Sequence, residues 1–220
     1  MKKILLALVT VVLMASFASA SVLVTANPMG AGKLGWLAAG QYDSNMGGNA
    51  TLLGGGGFLA YGATDKLDIY GKLGYGTYGN LTAGWTQSVI MVGVAAKYQL
   101  LAENGKNMPV SVAALLGYQP STVSWGVAGF SGQVVQGDIG IGAVVSKVMV
   151  PWVPYGALVY HSLTTNPGAA TGTNLELAVG SQMLLSKTSA VIGEVSLNSM
   201  STGGVTTSDT QISLGYSAKI

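Results

Sequence analysis

The chain has 220 residues, of which 49% are hydrophobic and only 8% charged, with 33 Gly, no Cys and a formal net charge of +2. Charged residues make up about a quarter of an ordinary soluble domain, so this chain cannot clothe a water-facing surface and most of its outer surface must be apolar. It has no Arg and no basic run, which leaves nucleic-acid binding without support, and no Cys with a single His, which removes the usual transition-metal ligand sets and implies no cofactor.

Met1-Lys2-Lys3, an apolar run from Ile4 to Met14 and the small residues Ala18-Ser19-Ala20 make a secretory signal peptide, with cleavage expected after Ala20. The run is short for a membrane-spanning helix, and no Cys follows it to carry a lipid. The expected domains are therefore a leader at 1–20 and a single unit at 21–220. Once Lys2 and Lys3 leave, eight Lys balance eight acids. No later apolar run is long enough to span as a helix, so a membrane protein of this sequence is a barrel.

The remainder divides into about ten strand-like segments, near 31–42, 50–62, 67–78, 85–100, 108–119, 132–148, 153–164, 173–185, 189–199 and 209–220. Most have roughly the 9–11 residues a tilted strand needs to cross a bilayer. Eight or twelve strands stay open, because the stretch around Val123–Phe130 reads as strand or as loop. Tight connections are expected at Ala63–Lys66, Leu101–Asn107, Met149–Trp152 and Ser186–Thr188. Longer ones are expected at Asp43–Asn49, Pro120–Ser131, Asn166–Gly172 and Ser201–Ser208. Short turns on one side and long loops on the other are the habit of outer-membrane barrels.

Several segments alternate cleanly. Leu67, Ile69, Leu73 and Tyr75 interleave with Asp68, Tyr70 and Lys72; Val135, Ile139 and Ile141 with Gln136 and Asp138. Leu175, Leu177 and Val179 interleave with Glu176 and Ala178; Val191, Val195 and Leu197 with Glu194 and Ser196. A Lys held at mid-bilayer against lipid costs roughly 2–4 kcal/mol, so the charged face belongs inside. The expected lumen-lining set is Lys33, Asp68, Lys72, Lys97, Asp138, Glu176, Glu194 and Lys219, four bases against four acids. Inward Gly and Ala leave room for a passage or relieve crowding in a curved sheet. Trp36, Tyr61, Tyr98, Tyr118, Trp152 and Tyr155 lie near expected strand ends, where half-wet rings suit a membrane interface. His161 is expected across from Gly140 with Asp138 diagonal to it. With Ser124 or Ser131 it would make a hydrolase site at the barrel rim.

The last segment alternates Ile212, Leu214, Tyr216, Ala218 and Ile220 with Gln211, Ser213, Gly215, Ser217 and Lys219. Here the chain resembles the closing strand of bacterial outer-membrane β-barrel proteins, although those usually end in an aromatic residue and this chain ends in Ile220. As an architecture the resemblance is to small barrels of the OmpX, OmpW and OmpA-barrel type. It implies an all-β, closed, antiparallel up-and-down transmembrane β-barrel in the bacterial outer membrane. Its partners would be outer-membrane lipid and the assembly machinery that receives the C-terminal strand. Without enzymatic activity or metal, such a barrel would act as a narrow pore or small-solute conduit with a charge-paired lumen. The alternatives are a closed structural barrel that binds partners through external loops, and the His161 hydrolase.

Overall fold

The computed structural model describes residues 23–44, 50–81, 85–104, 107–127, 129–166 and 171–220; the leader expected at 1–20 lies outside them. The strands are β1 (Leu34–Ser44), β2 (Thr51–Gly62), β3 (Leu67–Gly79), β4 (Trp85–Leu101), β5 (Ser111–Tyr118), β6 (Ser121–Val127), β7 (Phe130–Ser146), β8 (Trp152–Asn166), β9 (Thr171–Leu184), β10 (Ser189–Thr202) and β11 (Val205–Lys219). All pairings are antiparallel and, apart from β5 and β6, join sequence neighbours; β1 pairs with β11 from Gly35↔Lys219 to Ser44↔Thr210, which closes the sheet. Closure leaves no edge for a further chain to add to.

The barrel has ten staves because β5 and β6 are two halves of one. β5 pairs with the final part of β4 and β6 with the first part, and both lie against β7. The break falls at Gln119-Pro120, since Pro has no N–H to give the ladder. The wall is mended there by Gln119 N–H donating to Asp138 O at 2.8 Å and Val92 N–H donating to Pro120 O at 3.1 Å.

Two expected loops are therefore strand. Within Pro120–Ser131, Ser121–Val127 is β6 and Phe130–Ser131 opens β7; within Ser201–Ser208, β10 ends at Thr202 and β11 starts at Val205. Gly203 and Gly204, both at positive φ, make a two-residue turn between them. Most strands run 11–17 residues, longer than a crossing requires. The ladder continues through Ser, Thr and Gly after the apolar alternation has stopped, which is why the pattern placed the ends too early. The expected contrast of short and long connections is absent. The longest connection, between Leu101 and Ser111, lies at the end where β1 begins and β11 finishes. That end is called here the near end, and the opposite one the far end.

The outer wall is aliphatic: Leu59, Leu73, Ile141, Val179 and Leu214 are each at least 60% exposed. In water such a surface forfeits about 25 cal/mol for every Å² of apolar area; against acyl chains it does not. Inside, two apolar clusters divide the lumen. Leu52, Tyr78, Val89, Met91, Val123, Val134, Leu163 and Met200 fill the far half. Leu37, Ala113, Val144, Tyr155, Ala157, Val159, Ala178 and Ile192 gather around Leu23 and Ala26 in the near half.

Inward glycines make room for large neighbours. A Cβ on Gly180 would meet the Tyr155 ring at 2.5 Å, one on Gly140 would meet His161 Nδ1 at 3.1 Å, and one on Gly74 would meet Met91 Cε at 2.8 Å. Of the two readings of these glycines, relief of crowding describes these three sites.

Candidate functional site

The chain enters β1 from inside the barrel. Leu23 to Asn27 run through the near half of the lumen as a strap without β-ladder partners, held by lumen side chains. Leu23 N–H donates to Glu194 Oε2 at 2.8 Å and Ala26 N–H to Ser146 Oγ at 3.0 Å. Lys97 Nζ donates to the carbonyls of Thr25 and Asn27 at 2.9 and 2.7 Å, and Ser111 Oγ donates to Asn27 Oδ1 at 2.9 Å. Met29 N–H reaches both oxygens of Asp68, at 3.0 and 3.2 Å. Gly30 and Gly32, at φ +94° and +72°, then turn the chain outward to the rim.

Around the strap stand the charges that the alternation assigned to the inner face. Asp68 and Lys97 are direct cross-strand partners and form a buried ion pair at 3.0 Å. Tyr70 donates to Asp68 Oδ2 at 3.1 Å, and the Lys97 ammonium lies 5.7 Å from the Tyr70 ring. Deeper in, His161 Nδ1 is 3.0 Å from both oxygens of Asp138, and its Nε2 is 3.4 Å from Glu176 Oε2. Tyr155 Oη and Ser196 Oγ donate to Glu194 at 2.8 and 3.3 Å. Lys72 Nζ sits over the Phe58 ring at 5.2 Å.

Three expected positions differ. Lys33 and Lys219 are exposed at the near-end mouth, where Lys219 edges the cavity around the strap, because β1 begins only at Leu34 and β11 ends at Lys219. Tyr155 is 4% exposed and points inward, since β8 shares one inner face among Val153, Tyr155, Ala157, Val159 and His161. The other ring residues stand exposed on the outer wall. Trp36, Tyr61, Tyr98 and Trp152 lie toward the near end, with Trp36 packed at 5.6 Å on Tyr216. Tyr118 is exposed beside the break in the fifth stave, midway along the wall.

Two acids were missed. Asp43 read as the start of a connection and Asp209 as the first residue of the last segment, so neither entered the expected lumen set, yet both lie within strands, face inward and are buried. Asp43 keeps the parity of Leu37, which was the available signal. With Lys33 and Lys219 outside, the described interior holds Asp43, Asp68, Asp138, Glu176, Glu194 and Asp209 against Lys72, Lys97 and His161. The expected four-to-four balance becomes an acidic excess. The described exposed lysines, Lys33, Lys66, Lys147, Lys187 and Lys219, all stand at the near end.

Both ring nitrogens of His161 face carboxylates, and neither candidate serine touches it. Ser124 Oγ accepts from Gln133 Nε2 at 3.3 Å, and Ser131 is exposed. Among the described residues the acid–His pair has no nucleophile hydrogen-bonded to it.

The space left is subdivided. A cavity of about 330 Å³ surrounds the strap between Leu23, Phe58, Lys97 and Lys219. One of about 70 Å³ lies among Lys72, Asp138, His161 and Glu176. A third, of about 50 Å³, lies beside Gly56, Lys72 and Met91.

No protein-family model and no curated protein sequence matches the chain. Solved structures similar to it include the outer membrane protease OmpT from Escherichia coli, at 12% identity and TM-score 0.50 over 86% of this chain and 95% of that one. They also include the translocator domain of the autotransporter NalP from Neisseria meningitidis, at 12% identity and TM-score 0.51 over 86% and 89%. At these identities the likeness is one of fold: the chain is a small, closed, antiparallel ten-stranded barrel of the bacterial outer-membrane type.

Proposed function

We propose that this chain is exported, loses residues 1–20 and inserts in the bacterial outer membrane as a narrow, non-enzymatic conduit for small solutes. In the described form its near end is stoppered by its own strap. The observation that carries this reading is how the strap is held. It lies in the lumen on side-chain hydrogen bonds to Glu194, Ser146, Lys97 and Asp68, and it contributes no strand to the wall. Removing it would leave the ten staves paired. The acidic excess of the interior favours cations among the solutes.

The test is conductance in planar bilayers. The mature barrel should pass small currents, and a form lacking residues 21–29 should pass larger, cation-selective ones. Both forms are checked for heat-modifiable migration, so that a misfolded sample is not read as a closed one. Silence from both over many insertions would overturn the conduit. It would favour the second reading, a closed structural barrel, for which the apolar packing of Leu52, Val89, Val123 and Met200 across the far half speaks. The form of that reading that relied on the external connection expected at Pro120–Ser131 loses most of it, since Ser121–Val127 is β6 and Phe130 opens β7.

A further inference from the structure

Between the far apolar cluster and the His161 layer lies a group of buried oxygens that the conduit reading does not use. Asp43 on β1 and Gln211 on β11 are direct partners across the closing seam, and Asp209 is the next inward residue along β11. Asp209 is in turn paired with Asn198, and Asn198 with Glu176. Asp43 and Asp209 are thus diagonal neighbours on one face, roughly 7–8 Å apart at the backbone and closer at the side chains.

Asp43 and Gln211 are 0% exposed, and Asp209 is 4% exposed. Both carboxylate oxygens of Asp43, both of Asp209, Oε1 of Gln211 and Oε1 of Glu176 lie outside hydrogen-bond geometry with the described residues, and the amides of Gln41 and Asn198, beside Asp43 and Asp209, offer each acid one amide donor in place of a base. No Lys or His pairs with Asp43 or Asp209 among those residues either. Buried carboxylates are ordinarily matched by a base, by several donors or by a metal.

We propose that Asp43 and Asp209, with the amide oxygen of Gln211, bind a hard divalent cation of the calcium type inside the barrel. Calcium takes six to eight oxygen ligands at about 2.3–2.6 Å in flexible geometry and accepts carboxylates, amide carbonyls and water together. Two carboxylates and an amide oxygen fit that habit. They fit zinc less well, because its sites are tetrahedral and built mainly on His and Cys, neither of which is in this set. No group of three or more His, Asp or Glu is gathered at metal-binding geometry among the described residues, so water completes the shell and affinity is modest. The two acids lie 166 positions apart and meet only because β1 closes on β11. That is why no metal-loop spacing marks them in the sequence. The charge layout agrees, with every described exposed Lys at the opposite end of the barrel.

The site does not depend on conductance, and its test is spectroscopic. Terbium replaces calcium and is excited through a nearby aromatic ring. Tyr78 faces the same chamber, two strands from Asp43 in the row Asp43–Leu52–Tyr78. That is about 10 Å at ordinary strand spacing. Mature barrel in detergent free of lipopolysaccharide is titrated with terbium and then with calcium. The expected result is saturable emission displaced by calcium, with affinity at least tenfold weaker in Asp43→Asn and in Asp209→Asn and unchanged in Asp65→Asn, an exposed turn residue. Emission that never saturates, that sodium displaces as readily as calcium, or that both variants retain would overturn the site. If the variants fail to fold, the wild type decides. Its melting temperature should rise with millimolar calcium over chelator, and no rise would overturn the site.

Discussion

The amide of Leu23 and the carboxylate of Glu194 meet inside the barrel at 2.8 Å although 171 positions separate them. The same Glu194 Oε2 accepts from Tyr155 Oη at 2.8 Å. One buried carboxylate therefore ties the strap to the eighth and tenth strands, and its loss strands two donors at once. An unpaired buried donor costs about 1–3 kcal/mol. Glu194→Leu should lower stability by at least that much and free the strap, so that a Cys at Val24 passes from protected to labelled by a small aqueous thiol reagent. Glu194→Gln keeps an acceptor and should label slowly. Equal labelling in the two would mean that apolar packing around Leu23 holds the strap.

The Asp68–Lys97 pair anchors the strap's other end and is buried on both sides. Removing one member of such a pair leaves an uncompensated charge and costs about 3–5 kcal/mol, whereas replacing both costs much less. Lys97→Met should be severely destabilising, and Asp68→Asn combined with Lys97→Met should recover much of the loss. A double-mutant cycle by urea unfolding in lipid measures the coupling. Additive losses would show that Lys97 matters for its bonds to Thr25 and Asn27 and little for its charge.

The inner and outer faces of β3, β4, β7, β9 and β10 could be read from the sequence, because charge penalties against lipid are large and a period of two allows only one assignment. Asp68, Lys72, Lys97, Asp138, Glu176 and Glu194 all follow from that rule. Tyr155 did not, because β8 carries apolar side chains on both faces and offers no contrast. Asp43 did not, because it opens a polar, Gly-rich stretch that reads as a turn, and Asp209 did not, because it reads as the outermost residue of the last segment until the ladder is seen to run on to Thr202↔Val205. The strap carries no periodicity at all. Its position is set by carboxylates and a lysine far away in the chain, and only closure of the barrel brings these to one place.

The outward rows predict a gradient with depth. Leu73 is 63% exposed in the middle of β3, and Leu53 is 65% exposed near the far end of β2. Tyr61, on the near-end aromatic collar, is eight positions from Leu53 along the same strand. That spacing puts Leu53 about 20 Å above the collar on a tilted strand, close to the far boundary of an apolar band about 25 Å tall. Leu73→Lys should therefore cost about 2–4 kcal/mol in lipid, and Leu53→Lys about 0–1 kcal/mol. Unfolding titrations in bilayers check both. Equal costs at the two depths would mean that the barrel does not span where the collar suggests.

Crowding in the near half can be tested at two glycines on neighbouring strands. A Cβ on Gly180 would fall 2.5 Å from Cζ and Oη of Tyr155 and 2.7 Å from the carbonyl of Gly193; one on Gly193 would meet nothing within 4 Å. Tyr155 cannot tilt away cheaply, because its hydroxyl is committed to Glu194, and the backbone carbonyl of Gly193 is fixed by the sheet. Gly180→Ala should then cost about 1–3 kcal/mol as an overpacked site and should loosen the Tyr155–Glu194–Leu23 chain, raising thiol labelling at Val24→Cys. Gly193→Ala should be neutral to slightly stabilising, since it restricts the unfolded chain without strain in the folded one. If Gly180→Ala instead matches Gly193→Ala in stability and labelling, the near half has slack at Gly180, and inward glycines there leave a passage where the packing indicates a filled interior.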